Sequence, residues 1–263
     1  MLTETRMKRI RITDLHLWQF DDLAETPGIR HFVTDRSTHE AGEEFTLSFS
    51  STPDKELVRR NRHLLAMAMG VGDAQLFFPS QVHKTRIVRV TSQTPLEELM
   101  ETDALMTDQK GLCIAVMSAD CVPILLYDKT NKAVAAVHSG WRGTVARILE
   151  KTLHAMHDAF GTEGKDIVAG IGPSVSQDAY EVGEEVVQSV HHAFGRESGL
   201  MIPQPDDKAK LDLWKANQIQ LLEFGVPDKA IEISNLCSVK NNAHFFSARK
   251  GDAGRFAAGI LLT

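Results

Sequence analysis

Cysteine is scarce in this sequence, and long apolar stretches are missing. The 263 residues include three cysteines, at positions 113, 121 and 237, and this odd, scattered set does not suggest a disulfide framework. The first 20 residues carry basic side chains but no apolar segment of the kind found in signal peptides. No stretch approaches the roughly 20 apolar residues that a membrane span needs. We therefore expect a cytoplasmic protein with reduced thiols and no membrane partner.

The sequence also lacks an excess of basic residues. It has 29 Lys and Arg against 35 Asp and Glu, a formal net charge of −6, whereas a general nucleic-acid binder usually carries a basic face. We therefore expect no nucleic-acid partner. An anionic small molecule is not excluded, because it needs only a few local donors. The hydrophobic fraction of 43% and the charged fraction of 24% are ordinary for a globular protein.

Low-complexity tracts, internal repeats and long linkers are absent, and the composition does not change along the chain. We therefore expect one domain over residues 1–263. Apolar periodicity predicts many strands and four helices without regular βαβ alternation, which indicates the α+β class. Helices are expected at 54–69, 144–160, 184–194 and 212–222. Strands are expected at 29–34, 44–49, 74–78, 86–90, 103–106, 112–117, 122–127, 133–137, 166–171, 180–182, 230–234 and 243–247, with a flexible loop at 197–208.

Two apolar runs near the middle of the chain, 122–127 and 133–137, each have the length of a buried strand. The short polar segment 128–132 between them predicts an antiparallel hairpin. Cys121 precedes the first run and His138 follows the second, and in a hairpin the start of one strand lies beside the end of the next. We therefore expect a thiol beside an imidazole. Such a pair can bind zinc or act as a nucleophile with its base.

Two of the eleven histidines differ from the others in their setting. His83 and His138 each lie at the edge of strand-like sequence beside small or polar residues. Gly140 lets the backbone turn sharply after His138 and lets a substrate approach closely. The residues alone leave two interpretations open: a metal site, or a structural role in which His138 caps a strand and His83 is a loop residue. No compact ligand signature, such as two CxxC pairs, decides between them.

Three charged residues near these positions also have two interpretations each. Asp120 could cap a backbone amide at the strand edge, or it could orient an imidazole from behind. Arg142 could be a surface cation stacked on Trp141, or a clamp for an anion close to a metal. Arg249 lies in the cationic, glycine-containing segment 246–255, which is either a solvated loop or a binding site for phosphate or carboxylate.

Two segments of the chain are similar to a known family. Residues 118–123, Ser-Ala-Asp-Cys-Val-Pro, and 138–144, His-Ser-Gly-Trp-Arg-Gly-Thr, closely resemble the two signature segments of the YfiH-type family. That family has been labelled laccase-domain or multicopper polyphenol oxidoreductase, and has been described as purine nucleoside phosphorylase with adenosine deaminase activity. Further blocks match in order along the chain, at 81–83, 103–105, 170–174, 180–182, 212–213, 237–238 and 245–249.

The resemblance implies a fold and a set of site residues. The implied fold is an α/β unit with mixed sheets covered by helices, which the family shares with a deamidating bacterial toxin that uses a Cys–His pair. The family's metal ligands carry over onto His83, Cys121 and His138, which would also be the catalytic residues. The family's Asn-Arg pair is kept at Asn61 and Arg62, so that Arg62 is a candidate for the substrate or phosphate site.

The resemblance further implies a zinc-dependent purine nucleoside phosphorylase and adenosine deaminase acting on adenosine, inosine and methylthioadenosine, with copper as the alternative metal. Its partners would be a purine nucleoside and phosphate, with Arg142 and Arg249 as candidate phosphate ligands. We expect a monomer or a small homo-oligomer. Three alternatives stay open. They are a copper-dependent polyphenol oxidase, a metal-free hydrolase or amidase that uses Cys121 and His138 on a peptidoglycan precursor, and a non-enzymatic metal-binding accessory protein.

Overall fold

The computed structural model describes residues 5–38 and 43–263, and its elements are numbered in chain order. The α-helices in this part of the chain are α1 Asp21–Glu25, α2 Lys55–Met69, α3 Trp141–Val145, α4 Ile148–Phe160, α5 Glu184–Phe194 and α6 Leu213–Glu223. The strands are β1 Met7–Ile12, β2 Leu15–Phe20, β3 Ile29–Thr38, β4 Leu76–Phe77, β5 Ile87–Arg89, β6 Ala104–Thr107, β7 Cys113–Ser118, β8 Val122–Asp128, β9 Ala133–Ser139, β10 Ile167–Ile171, β11 Glu181–Val182, β12 Met201–Pro203, β13 Ala209–Leu211, β14 Ile231–Ile233 and β15 Phe256–Leu262.

The strands form two large sheets and a small one. The first sheet has the order β1-β2-β3-β15-β7-β4, the second β14-β10-β8-β9-β6-β5, and the small sheet β11-β13-β12. Most neighbouring strands are antiparallel, but β4 runs parallel to β7, β5 to β6, and β10 to β14. These mixed sheets, combined with helices, confirm the predicted α+β class.

The two large sheets pack face to face, and helices cover their outer faces. In β8, Leu125 and Tyr127 belong to the cluster between the sheets, whereas Ile124 and Leu126 belong to the cluster beneath α4 and α6. Both faces of β8 are therefore buried, which explains why its sequence is continuously apolar instead of alternating. On the outer face of the first sheet, α2 contributes Leu65 to a third cluster. The layers run from α2 through the two sheets to α4 and α6.

Strands β8 and β9 form the predicted hairpin. Pro123 pairs with His138, so the start of β8 lies beside the end of β9. At the other end of the hairpin, the buried carboxylate of Asp128 accepts hydrogen bonds from the backbone N–H groups of Thr130 and Asn131, each at 2.9 Å. These bonds close the turn, since an aspartate at the first turn position can replace backbone partners.

Two of the predicted strands are wrong. Residues 44–49 contribute one isolated bridge, through residue 44, and bury Leu47 in the cluster beneath α2. Residues 243–247 begin in a turn and continue as irregular backbone that buries Phe245 and Phe246. In both segments, apolar side chains reach the core from an irregular backbone, and sequence periodicity does not distinguish this from a strand.

Other elements also differ from prediction. The expected helix 144–160 is divided into α3 and α4, because Arg147 has a left-handed backbone with φ of 62°. The expected loop 197–208 contains β12, which pairs with β13. The unpredicted strands β1 and β2 form a hairpin at the edge of the first sheet. Within the described ranges, no helix combines the length and the apolar character that crossing a membrane requires.

Candidate metal centre

The structure brings His83, Cys121 and His138 together. Each offers one ligand atom, and these atoms lie within 4.8 Å of one another. The two imidazole rings have centroids 4.9 Å apart and planes at 76°, an edge-on arrangement. The ligand atoms of one zinc ion lie within this range, because Zn–N bonds are about 2.0–2.1 Å and Zn–S bonds about 2.3 Å. A thiolate and two imidazoles are also a donor set that zinc and copper accept.

His138, the last residue but one of β9, is held from behind by a carboxylate. The residue is 3% exposed, and its Nδ1 lies 2.9 Å from Oδ1 of Asp103. Because an ionised carboxylate only accepts hydrogen bonds, Nδ1 carries the hydrogen and donates it. Nε2 is then the nitrogen that would bind a metal after losing its own proton, which is the arrangement common for metal-bound histidines.

His83 lies on the exposed loop between β4 and β5. Its backbone is in the left-handed region, with φ of 60°, which is uncommon for a residue other than glycine. The loop is tied to its surroundings on both sides of His83. Gln81 exchanges two hydrogen bonds with the backbone of Met117, each of 2.8 Å, and the His83 N–H donates to Asp103 at 2.9 Å.

Cys121 is half-buried in the turn that enters β8. The space around its sulfur depends on Gly140, since a Cβ built there would lie 2.8 Å from Cys121 Sγ and 3.1 Å from His83 Cδ2. Glycine at this position therefore leaves room for the Cys121 sulfur and the His83 ring. The backbone conformation of Gly140, with φ of −73° and ψ of 173°, is open to other residues.

In the metal-free protein, the proton lies on the imidazole of His138 rather than on the thiol of Cys121. Burial raises the pKa of Cys121, but the charge and hydrogen bond of His138 and the hydrogen bond of His83 lower it, to about 6. Burial lowers the pKa of His138, but the Cys121 thiolate and the Asp103 carboxylate raise it, to about 9. The pair is therefore a thiolate and an imidazolium near neutral pH, and the thiolate is the form that binds metals and attacks electrophiles.

Asp120 does not orient an imidazole; Asp103 does. The Asp120 carboxylate accepts hydrogen bonds from Ser238 Oγ at 2.6 Å and from the backbone N–H of Arg249 at 2.8 Å, so the capping interpretation describes its contacts. Sequence reasoning identified Asp103 only as part of a shared block. A signal for its role exists, because Asp103 immediately precedes β6, whose first residue pairs with Val137, the neighbour of His138.

Two predicted arginines lie on aromatic rings near the site. Exposed Arg142 stacks on Trp141 with its Cζ 4.3 Å from the ring, and Arg249 lies 4.7 Å over the ring of Tyr180. Burial raises the pKa of Tyr180 to about 12, and the Cys121 thiolate adds to this rise, whereas both arginines oppose it. Arg142, Arg249 and the Cys121 thiolate are therefore all close enough to Tyr180 to shift the pKa of its hydroxyl group.

Arg62, the third predicted arginine, is enclosed by aromatic residues. Its Cζ lies 4.5 Å from the ring of Phe49 and 4.3 Å from that of Phe78, and two of its N–H groups donate to the Leu47 carbonyl at 3.0 and 2.8 Å. Burial lowers its pKa to about 10. Arg62 also lies 3.9 Å from the sulfur of Met117. Met117 therefore contacts both Arg62 and Gln81, the residue that anchors the His83 loop.

A family model described as multi-copper polyphenol oxidoreductase laccase matches residues 30–263. The chain belongs to this family. A purine nucleoside phosphorylase of Bacteroides thetaiotaomicron is 39% identical to this member of the laccase family over 263 aligned residues, covering 95% of this chain and 97% of that protein. Adenosine deaminase RL5, from an unknown prokaryotic organism, is 37% identical and covers 76% of this chain and 79% of that protein.

Solved structures related to this laccase family member have the same fold. YlmD from Geobacillus stearothermophilus is 26% identical, with a TM-score of 0.88 over 97% of this chain and 98% of that chain. YfiH from Bacillus licheniformis is 24% identical, with a TM-score of 0.88 over 96% of this chain and 98% of that chain. These comparisons confirm the resemblance predicted from the two signature segments.

Proposed function

We propose that this protein is a zinc-dependent purine nucleoside phosphorylase with adenosine deaminase activity. The observation that carries the proposal is the set of three ligand atoms, from His83, Cys121 and His138, within 4.8 Å of one another. Three protein ligands are typical of catalytic zinc sites, in which the fourth position is left for water or a reactant. The names of the two relatives support nucleoside processing, and we propose adenosine, inosine and methylthioadenosine as substrates.

Zinc is proposed rather than copper because of the position of Met117. A His₂Cys site that holds redox-active copper usually has a weak axial ligand such as methionine. The sulfur of Met117 instead lies 3.9 Å from Nη2 of Arg62, in contact with a cation. The family description still names copper, so the metal content is part of the test below.

The side chains around the bound ion would have separate roles. Zinc, when bound, would supply a Lewis acid and lower the pKa of a water molecule to about 7. His138, Cys121 and His83 would hold it, and Asp103 would fix the tautomer of His138. In deamination, water replaces the 6-amino group of adenosine and ammonia leaves. In phosphorolysis, phosphate attacks C1′ of the ribose and the purine leaves.

Arg142 and Arg249 are proposed to bind the phosphate. Arg142 follows Gly140 by two residues, and Gly140 borders Cys121 and His83. The backbone of Arg249 contacts Asp120, the residue before Cys121, so both positions support a cationic surface beside the metal. Guanidinium groups match phosphate geometry, because they present paired N–H donors. Arg249 is fixed at two points, by its backbone N–H to Asp120 and by Nη2 to the Glu181 carbonyl at 2.9 Å.

The test combines metal analysis with activity on the same preparation. We expect about one zinc per chain in protein from unsupplemented cells, and loss of both activities on chelation with recovery after zinc is restored. His138→Ala should lose zinc and both activities. His154→Ala, on the exposed face of α4, is the matched control and should keep them. Stoichiometric copper with a strong blue absorption band would favour polyphenol oxidation. Full activity in His138→Ala without zinc would refute the mechanism.

A second candidate is a metal-free cysteine hydrolase acting on an amide. The lowered pKa of Cys121, about 6, favours it, because a thiolate beside an imidazolium is the activated nucleophile of such enzymes. This alternative predicts a covalent adduct on Cys121 and activity that survives chelation. Loss of activity on chelation, with recovery by zinc, would count against it.

A further inference from the structure

We propose that Asp103 is a positioning residue that couples the two histidines of the metal centre through one carboxylate. This inference rests on the proposed metal binding, and it assigns a role to a side chain that does not touch the ion. Asp103 is fully buried and immediately precedes β6, which pairs with β9. It is therefore attached to the same sheet as His138, while the loop of His83 folds over it.

One oxygen of Asp103 contacts both histidines. Oδ1 accepts from Nδ1 of His138 and from the backbone N–H of His83, each at 2.9 Å. Oδ2 accepts from the backbone N–H groups of Lys84 at 2.9 Å and Val82 at 3.2 Å. The Asp103 carbonyl also accepts from the backbone N–H of His138 at 2.8 Å. A shift of this carboxylate would therefore move the ring of one ligand and the backbone of the other together.

The His83 loop depends on these bonds because the loop itself is exposed. Three consecutive N–H groups, at positions 82–84, end on one buried carboxylate. His83 keeps a left-handed backbone, with φ of 60°, and such conformations persist where the surroundings over-determine them. Without the carboxylate, the Gln81 bonds to Met117 would still hold the start of the loop, but three N–H groups at 82–84 would lose their acceptor and the backbone of His83 would be less constrained.

The chemistry of the contacts calls for aspartate rather than its amide. All four side-chain contacts of Asp103 are with N–H donors, and an ionised carboxylate is the group that only accepts. An asparagine of the same shape would turn an NH₂ group toward at least one of these donors. Asp103→Asn therefore changes hydrogen bonding without changing volume.

The experiment compares Asp103→Asn with a matched control, Asp128→Asn. Asp128 is also fully buried, ends a strand of the same sheet, and accepts from the N–H groups of Thr130 and Asn131, but at the far end of the hairpin. Zinc affinity is measured by competition with a chromogenic chelator, and site geometry by the visible spectrum of the Co²⁺ form. Both variants should lose stability. Asp103→Asn alone should bind zinc about 10- to 100-fold more weakly and change the Co²⁺ spectrum.

Two results would overturn the role of Asp103. One is wild-type zinc affinity and an unchanged Co²⁺ spectrum in folded Asp103→Asn. The other needs no variant: ring ¹⁵N shifts of the zinc-loaded wild-type protein should show His138 protonated at Nδ1 and metal-bound at Nε2, and the reverse assignment would end the proposal. Failure of the wild-type protein to bind zinc at all would instead remove the proposed function, and the inference with it, before any variant is made.

Discussion

Substituting Gly140 by alanine is the most direct test of the space around the metal ligands. The added Cβ would lie 2.8 Å from Cys121 Sγ and 3.1 Å from His83 Cδ2, so the sulfur must move away. Inserting a methyl group into a packed site typically costs about 1–3 kcal/mol. If this cost falls on the metal-bound geometry, zinc affinity drops by about 5- to 150-fold, since about 1.4 kcal/mol is tenfold.

The matched control is Gly183→Ala. Gly183 precedes α5 as Gly140 precedes α3, and its φ of −87° and ψ of 178° are close to the −73° and 173° of Gly140. A Cβ at Gly183 meets no heavy atom of the described residues within 4 Å. Chelator competition should therefore show weaker zinc binding in Gly140→Ala only, and thermal unfolding with and without zinc should show a smaller zinc-dependent rise in Tm. Equal zinc affinity in the two variants would refute the reasoning.

Three further predictions concern titration and substrate binding. Burial lowers the pKa of His31 from 6.5 to about 4, so between these pH values the unfolded chain binds a proton that the folded protein does not. The free energy of unfolding should therefore fall by up to about 3 kcal/mol between pH 6.5 and about 4. Urea unfolding of His31→Gln should show a flatter pH dependence. In metal-free protein, alkylation of Cys121 should rise through about pH 6 rather than near pH 9. Burial raises this pKa and the His138 charge is the largest opposing effect, so His138→Ala should move the midpoint upward. Arg142→Ala and Arg249→Ala should raise the KM for phosphate about tenfold and change deamination less, because deamination uses water.

Each of these predictions has a control on the same chain. Buried Phe32, replaced by leucine, should lower stability by a similar amount at every pH, because this change removes no titratable group. Buried Cys237 should resist alkylation in the same digest. Exposed Arg59, replaced by alanine, should keep the phosphate KM. The first prediction is contradicted if His31→Gln keeps a steep acid dependence of stability. The second is contradicted if the midpoint of Cys121 alkylation lies near pH 9. The third is contradicted if the arginine variants lose phosphorolysis and deamination equally.

Local sequence was sufficient for the hairpin and for one pair of site residues. The apolar runs around the polar segment 128–132 predict β8 and β9, and the hairpin geometry places Cys121 beside His138 without any long-range information. Helix α2 was equally readable, since Asp54 caps its first turn through the Leu57 N–H at 2.9 Å and its apolar stripe has helical spacing. In these cases, the contacts that define the structure lie within a few residues or one turn.

Tertiary structure decided the rest, because the remaining contacts join distant parts of the chain. The C-terminal β15 lies between β3 and β7 in the first sheet, a position that an apolar run alone does not reveal. The choice of Asp103 over Asp120 as the partner of His138 depends on strand pairing 35 residues apart. The sequence identified a thiol and two imidazoles as candidate ligands. The pairing of β6 with β9 determined which carboxylate contacts His138, and the approach of Gly140 to Cys121 and His83 determined how much room the site has.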